Sequence, residues 1–212
     1  MFPKNDFFAF FLSFLIIVIH YFGSKWISKF IDPTTRRTLT HIGGGLWAVM
    51  WFFYETRYVA TVFLIIVVIF FILAPKDYKN LFSYGDEKHI GLITYGIGLI
   101  IVTYFFFNTS YGAAAVFSLA LGDGLGDFIG KRIGSHRYKF PWMKGRSIEG
   151  SLAVFFGAFI AGILTNIFFS PPLSLSKIIL NAILVSIIEA LSPSHLDNVF
   201  IPIGSAFFLY YF

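Results

Sequence analysis

Apolar runs of about one membrane thickness recur along the whole of this 212-residue chain. A helix that crosses a bilayer needs about 20 mostly apolar residues, within a range of about 17–25, because hydrocarbon satisfies no unpaired backbone group. Measured against that length, the sequence predicts spans at Phe7–Gly23, Leu39–Tyr54, Tyr58–Ala74, Ile90–Phe107, Tyr111–Ile129, Ile148–Phe169, Lys177–Leu191 and Val199–Phe212. Pro75 ends the third, Pro171 and Pro172 end the sixth, and Pro202 bends the last. The final two are alternatively a single re-entrant pair. The first has no small-residue cleavage site behind it, so a retained helix is expected rather than a signal peptide. The expected fold class is all-α: a polytopic integral membrane protein of about 7–8 transmembrane helices, folded as one domain over residues 1–212.

Composition removes the alternatives. Hydrophobic residues make up 57% of the chain and charged residues 13%, against about 45–50% and about 25% in soluble domains. So few charges cannot cover a water-facing surface, and so much hydrophobicity excludes disorder. The absence of cysteine excludes a disulfide framework, a thiolate nucleophile and a cysteine-bound metal. The net charge of +5 would hint at nucleic acid in a soluble domain. Its distribution argues for orientation instead, and no nucleic-acid partner is expected. Lys25, Lys29, Arg36 and Arg37 follow the first span, Lys76, Lys79 and Lys88 the third, and Lys131, Arg132, Arg137, Lys139, Lys144 and Arg146 the fifth. Eight spans put all of these on one side and only Lys4, Arg57 and Lys177 on the other. Basic loops stay in the cytoplasm, so both termini are expected outside, in the plasma membrane if the cell is prokaryotic.

Acids in or beside apolar spans are costly and mark functional candidates. Asp123 and Asp127 lie four apart in Gly122-Asp123-Gly124-Leu125-Gly126-Asp127, and on a helix they share a face. Neighbouring carboxylates repel unless a proton or cation lies between them, and one or two carboxylates with phosphates and water suit Mg²⁺. Gly122, Gly124 and Gly126 would let a ligand approach the backbone; the competing reading makes them helix-packing contacts. Next, Lys144-Gly145-Arg146-Ser147-Ile148-Glu149 precedes the sixth span. Two cations and a Ser-capped helix start make a candidate phosphate site. The alternative is a topology signal with Glu149 as a first-turn acid. Arg36, Arg37 and His41 precede a glycine triplet in the second span. Glu189 ends an apolar run and needs a partner, while Asp197 and Asn198 open the last span, where Asp197 is equally a helix cap. No histidine pair has zinc spacing, and no P-loop pattern is present.

The run from Gly122 to Gly134, the pair Pro141-Trp142, and Lys144-Gly145-Arg146-Ser147-Ile148-Glu149-Gly150-Ser151 together resemble the polyprenol kinase family of dolichol, phytol and farnesol kinases. Arg146 stands where that pattern usually has Lys. Arg36-Arg37 with His41-Ile42-Gly43, and Glu189 with Asp197-Asn198-Val199-Phe200-Ile201-Pro202, resemble its outer motifs; Leu196 stands where many relatives carry a second acid. The resemblance implies phosphoryl transfer, typically from CTP, to the terminal hydroxyl of an isoprenoid alcohol in the bilayer, with Mg²⁺ or another divalent ion. The nucleotide and metal region would lie at about residues 119–151. Asp123 and Asp127 would hold the metal. Lys144, Arg146, Ser147, Lys131 and Arg132 would meet the phosphates, and Glu149, Asp127 or Asp197 would take the hydroxyl proton. The alternatives are a cytidylyltransferase that makes CDP-lipid from phosphatidate, whose C-terminal Pro-Gly-His-Gly-Gly element the chain lacks, and a non-enzymatic transporter of a lipid phosphate or anion.

Overall fold

The computed structural model describes residues 4–73, 89–142, 145–193 and 195–212. Capping chemistry sets most helix starts. Helix α1 (Asp6–Ile27) begins at Asn5, whose side chain accepts from Phe8 N. Helix α2 (Pro33–Leu46) begins at Asp32, which accepts from Thr34 N and Thr35 N, with Pro33 in the first turn. This cap starts α2 ahead of the predicted apolar run, and a 3₁₀ stretch, Trp47–Phe52, carries it on. Helices α3 (Arg57–Leu73) and α4 (His89–Phe106) follow. Thr109 caps α5 (Ser110–Phe117), which passes through a π-helical turn, Ser118–Asp123, into α6 (Gly124–Arg132). Two short antiparallel strands, β1 (Arg137–Tyr138) and β2 (Arg146–Ser147), break the all-helical pattern. Ser147 caps α7 (Ile148–Phe168) by accepting from Gly150 N. Helices α8 (Leu175–Leu191) and α9 (Asp197–Tyr211) complete the chain, the latter with Pro202 inside it.

The helices coincide with the predicted apolar runs. By length and composition, Asp6–Ile27, Ser110–Arg132 and Ile148–Phe168 can cross a membrane, and α3 and α4 are apolar but shorter. Outward faces carry Phe11, Phe14, Ile19 and Phe22 on α1, Ile65, Ile69 and Phe70 on α3, and Phe156, Ile160 and Ile167 on α7. Continuous apolar surface of this kind suits lipid rather than water.

The rod Ser110–Arg132 is the axis of the bundle: 72% of its most apolar stretch is buried, against 17% for α1. Ala113, Ala114 and Ala115 are fully buried along it, and such small residues let neighbouring backbones close in. A Cβ on Gly157 of α7 would lie 2.6 Å from Leu121 O, and one on Gly126 would lie 2.4 Å from Val154 Cγ2. Helix α7 therefore lies directly on the backbone of the π turn and α6.

At one end of the bundle, Asn5 N donates to Phe53 O (3.0 Å), Glu55 N donates to Asp6 Oδ1 (2.9 Å), and Lys177 Nζ donates to Leu209 O (3.4 Å). At the other, Arg132 reaches Asp32 (2.7 Å), Trp142 Nε1 donates to Leu191 O (3.1 Å), and Arg146 meets Glu189. The rods alternate in direction. Residues 5 and 209 share one end, and Arg132, Trp142 and Arg146 gather at the opposite one.

Candidate active site at the end of the central rod

Helices α2 and α6 run antiparallel, and residues four apart on each face one another. Arg37 Nε lies 3.7 Å from Asp127 Oδ2, and His41 Nδ1 lies 3.4 Å from Asp123 Oδ2. Thr38 Oγ1 donates to Gly124 O between them (3.4 Å). Lys131 Nζ adds a second cation to Asp127 at 2.7 Å. Asp123 is buried and ends the π turn; π turns are rare and favour functional sites. Its charged neighbours are Asp197, Arg37, Asp127 and Glu189. His41 is buried, lies edge-on to Tyr95 with ring centroids 4.7 Å apart, and accepts through its backbone carbonyl from the Tyr95 hydroxyl (2.9 Å).

A second group meets the first from β2, α8 and α9. Arg146 donates to Glu189 and, through Nη2, to Asp197 Oδ2 at 2.7 Å. Burial alone would disfavour the Arg146 charge, but Glu189 and Asp197 outweigh it and hold the guanidinium pKa above its ordinary value. Ser151 Oγ extends the group to Glu189 (3.4 Å) and pairs with the Tyr138 hydroxyl (2.6 Å). Burial raises the Tyr138 pKa, so the phenol stays protonated.

Between the two groups lies a polar pocket of about 120 Å³. Lys131, Arg137 and Arg146 supply its positive charge and Asp127 and Glu189 its negative charge. Gly126, Gly130, Gly145 and Gly150 also line it, and Cβ atoms on Gly126, Gly130 and Gly150 would run into Val154, Ser147 or neighbouring backbone, so these three let α6 and α7 close up. Ser147 and Ser151 add hydroxyls. Lys131 is paired with Asp127 and Arg146 with Glu189 and Asp197, so the pocket carries mixed charge.

The predicted site residues divide. Asp123, Asp127, Lys131, Arg146, Ser147, Arg37, His41, Glu189 and Asp197 come together around this pocket and its back wall. Gly126 both lines the pocket and packs against Val154, Gly122 lies against the α7 backbone, and Gly124 faces α2. Arg132 turns away to Asp32 and Thr35, where the Thr35 hydroxyl, aided by backbone N–H groups and Arg132, holds the Asp32 pKa down to about 2. Glu149 accepts from Ser135 Oγ (2.7 Å) and His136 N (3.2 Å), which fixes the turn after α6. Asn198 Nδ2 donates to Gly91 O (3.0 Å), joining α9 to α4. Arg36 contributes backbone bonds to Asp32 and Thr40. Lys144 lies outside the described residues, as does the loop bearing Lys76, Lys79 and Lys88. The expected ring of free N–H groups at the start of α7 is partly spent: Ile148 N donates to His136 O and Gly150 N to Ser147 Oγ.

Among the described residues, no three of His, Cys, Asp and Glu are grouped to hold a metal. That donor set does not make an all-protein cage. The pair Asp123 and Asp127 fits the sparser habit of Mg²⁺, in which one or two carboxylates are completed by phosphate oxygens and water.

Comparison with known proteins finds similar chains among lipid-alcohol kinases. Over 139 residues the chain is 29% identical to the probable phytol kinase 3 of Glycine max, covering 60% of this chain and 43% of that protein. It is 29% identical over 135 residues to a Synechocystis phytol kinase, covering 60% and 56%. It is 27% identical over 95 residues to the farnesol kinase of Arabidopsis thaliana, covering 43% and 30%. The chain resembles lipid-alcohol kinases. It spans about half the length or less of these curated relatives. No protein-family model matches it, and no solved structure does.

Sequence reasoning missed four contributors to this site. Arg137 lines the pocket but reads as one more basic topology residue. Tyr138 and Ser151 join the Glu189 network; a Tyr and a Ser either side of the Lys144–Glu149 motif were the available signal. Tyr95, buried against His41, was hidden in an apolar run, where its neighbours Gly96 and Gly98 marked close packing.

Proposed function

We propose that the chain is a lipid-alcohol kinase, moving the terminal phosphoryl group of a nucleoside triphosphate, with CTP as the expected donor, onto the hydroxyl of an isoprenoid alcohol such as phytol, geranylgeraniol or a dolichol. The observation that carries this reading is the glycine-lined pocket in which Lys131, Arg137 and Arg146 converge beside Asp127 and Glu189. Phosphoryl transfer asks mainly for charge neutralisation and in-line alignment. The three cations neutralise the phosphates. Arg146 is itself held in place by Glu189 and Asp197, so its guanidinium is preorganised. Asp123 and Asp127 would hold a divalent ion, which would supply positive charge to the phosphates. The lipid oxygen bonds to the terminal phosphorus as the bond to the leaving nucleoside diphosphate breaks, and the hydroxyl proton passes to a carboxylate. Each expected acceptor already has a partner, Glu149 in Ser135 and His136, Asp197 in Arg146 and Asp127 in Lys131, and of the three Asp127 is the one that lines the pocket.

In this reading the helical rods are about 7–8 membrane spans, and the end bearing Arg132, Trp142 and Arg146 faces the cytoplasm, where soluble nucleotide is available, with both termini outside. The alternation of the rods supports that arrangement. The test crosses terminally labelled CTP, ATP, GTP and UTP with phytol, geranylgeraniol, dolichol and diacylglycerol, using purified protein in detergent with Mg²⁺. Labelled isoprenyl phosphate is expected. CDP-lipid formed from phosphatidate would replace the kinase reading with the cytidylyltransferase one, and no product from any pair would favour a transporter.

A further inference from the structure

A second cavity, of about 140 Å³, lies among α1, α2, α3 and α4, away from the polar pocket. Its walls are apolar: Ile17, Trp47, Phe63, Val67, Leu92 and Leu99 line it. Two of its polar side chains are already committed, Thr40 to Arg36 O (3.0 Å) and Tyr95 to His41 O (2.9 Å). Among the described residues that line it, Trp47 Nε1 and His41 Nδ1 have no hydrogen-bond partner, and His41 is the one that also faces an acid. His41 is 8% exposed, with the Asp123 carboxylate 3.4 Å from its Nδ1, outside bonding geometry. Buried ring nitrogens are seldom left unpaired without a reason. This one sits where the apolar cavity meets the acids.

Resting on the kinase reading above, we infer that this cavity seats the isoprene unit next to the hydroxyl, and that the hydroxyl hydrogen-bonds to His41 beside Asp123. Size decides how much of the chain is held. A dry engineered cavity of about 150 Å³ takes one benzene ring, so this one takes about one five-carbon branched unit. The remaining units of a long prenol lie along the lipid-facing surface, where α1 and α3 present Phe14, Ile65 and Ile69. The site therefore reads the branched unit at the head of the alcohol and ignores total length.

The test has two arms. In kinetics, wild-type protein should show similar KM for farnesol, geranylgeraniol and longer prenols, and a KM about tenfold or more higher for straight-chain alcohols of equal carbon number, the scale on which an apolar pocket discriminates. Val67→Phe and Leu99→Phe, which fill the cavity, should raise KM for isoprenols about tenfold, with kcat and the nucleotide KM within about twofold. In the second arm, which uses wild-type protein and so survives any folding defect of the variants, a prenol bearing a diazirine on its first unit should label residues 63–68 and 92–99. If wild-type protein phosphorylates no alcohol, the kinase reading falls and the cavity assignment with it. If isoprenols are phosphorylated but the first-unit probe labels only outer helix faces, or properly folded filled variants keep wild-type KM, the cavity assignment alone is overturned.

Discussion

Arg146 answers two buried acids at once. Glu189 and Asp197 are 4% and 7% exposed, and each is bonded to the same guanidinium. Removing one member of such a group leaves charge buried without compensation, at a cost of about 3–5 kcal/mol. Arg146→Met should therefore lower the thermal unfolding midpoint in detergent by many degrees, and adding Glu189→Gln should recover part of the loss. Arg146→Lys should fall between, because a point charge on a flexible stem cannot span two acids as a planar fork does. An unchanged midpoint in Arg146→Met would mean the acids have another partner. The sequence stated half of this problem: Glu189, after an apolar run, had to have a partner. Which partner was not legible, because Arg146 and Glu189 are brought together only by the packing of α7 on α8.

At the scale of elements, the site depends on how closely α7 lies on α6. Val154 is fully buried, and a Cβ on Gly126 would stand 2.4 Å from its Cγ2. Gly126→Ala should cost about 1–3 kcal/mol through overpacking, and Val154→Ala in the same chain should restore much of it; detergent unfolding of the single and double variants measures both. No rescue would show that Gly126 serves the pocket alone. The apolar runs announced every helix, and Asn5, Asp32, Thr109, Ser147 and Ser174 explain where helices start. The π turn at Ser118–Asp123 left no mark in hydropathy, because it changes hydrogen bonding without changing residue type. The strand pair Arg137–Tyr138 and Arg146–Ser147 read as loop, since two residues on each side give no alternation to detect. The motif position of Glu149 says nothing of the Ser135 and His136 donors that hold it, because those lie on the turn after α6.

Taken whole, the molecule has an apolar cavity among α1 to α4 and a polar pocket where the ends of α6, α7 and α8 meet, with His41 and Asp123 between them. That layout suits joining a membrane alcohol to a soluble phosphate donor. Asp123 is the residue on which both halves bear: it ends the π turn, faces His41, and has Asp127, Asp197 and Glu189 as acidic neighbours. Asp123→Asn keeps the shape and removes the charge. The decisive measurement is transfer of label from terminally labelled nucleoside triphosphate to geranylgeraniol by wild-type and Asp123→Asn protein, with unfolding midpoints recorded beside it. Wild-type protein should make labelled lipid monophosphate, and the variant should be slower by about 100-fold or more with its midpoint unchanged; lipid phosphate formed equally fast by Asp123→Asn would contradict the account.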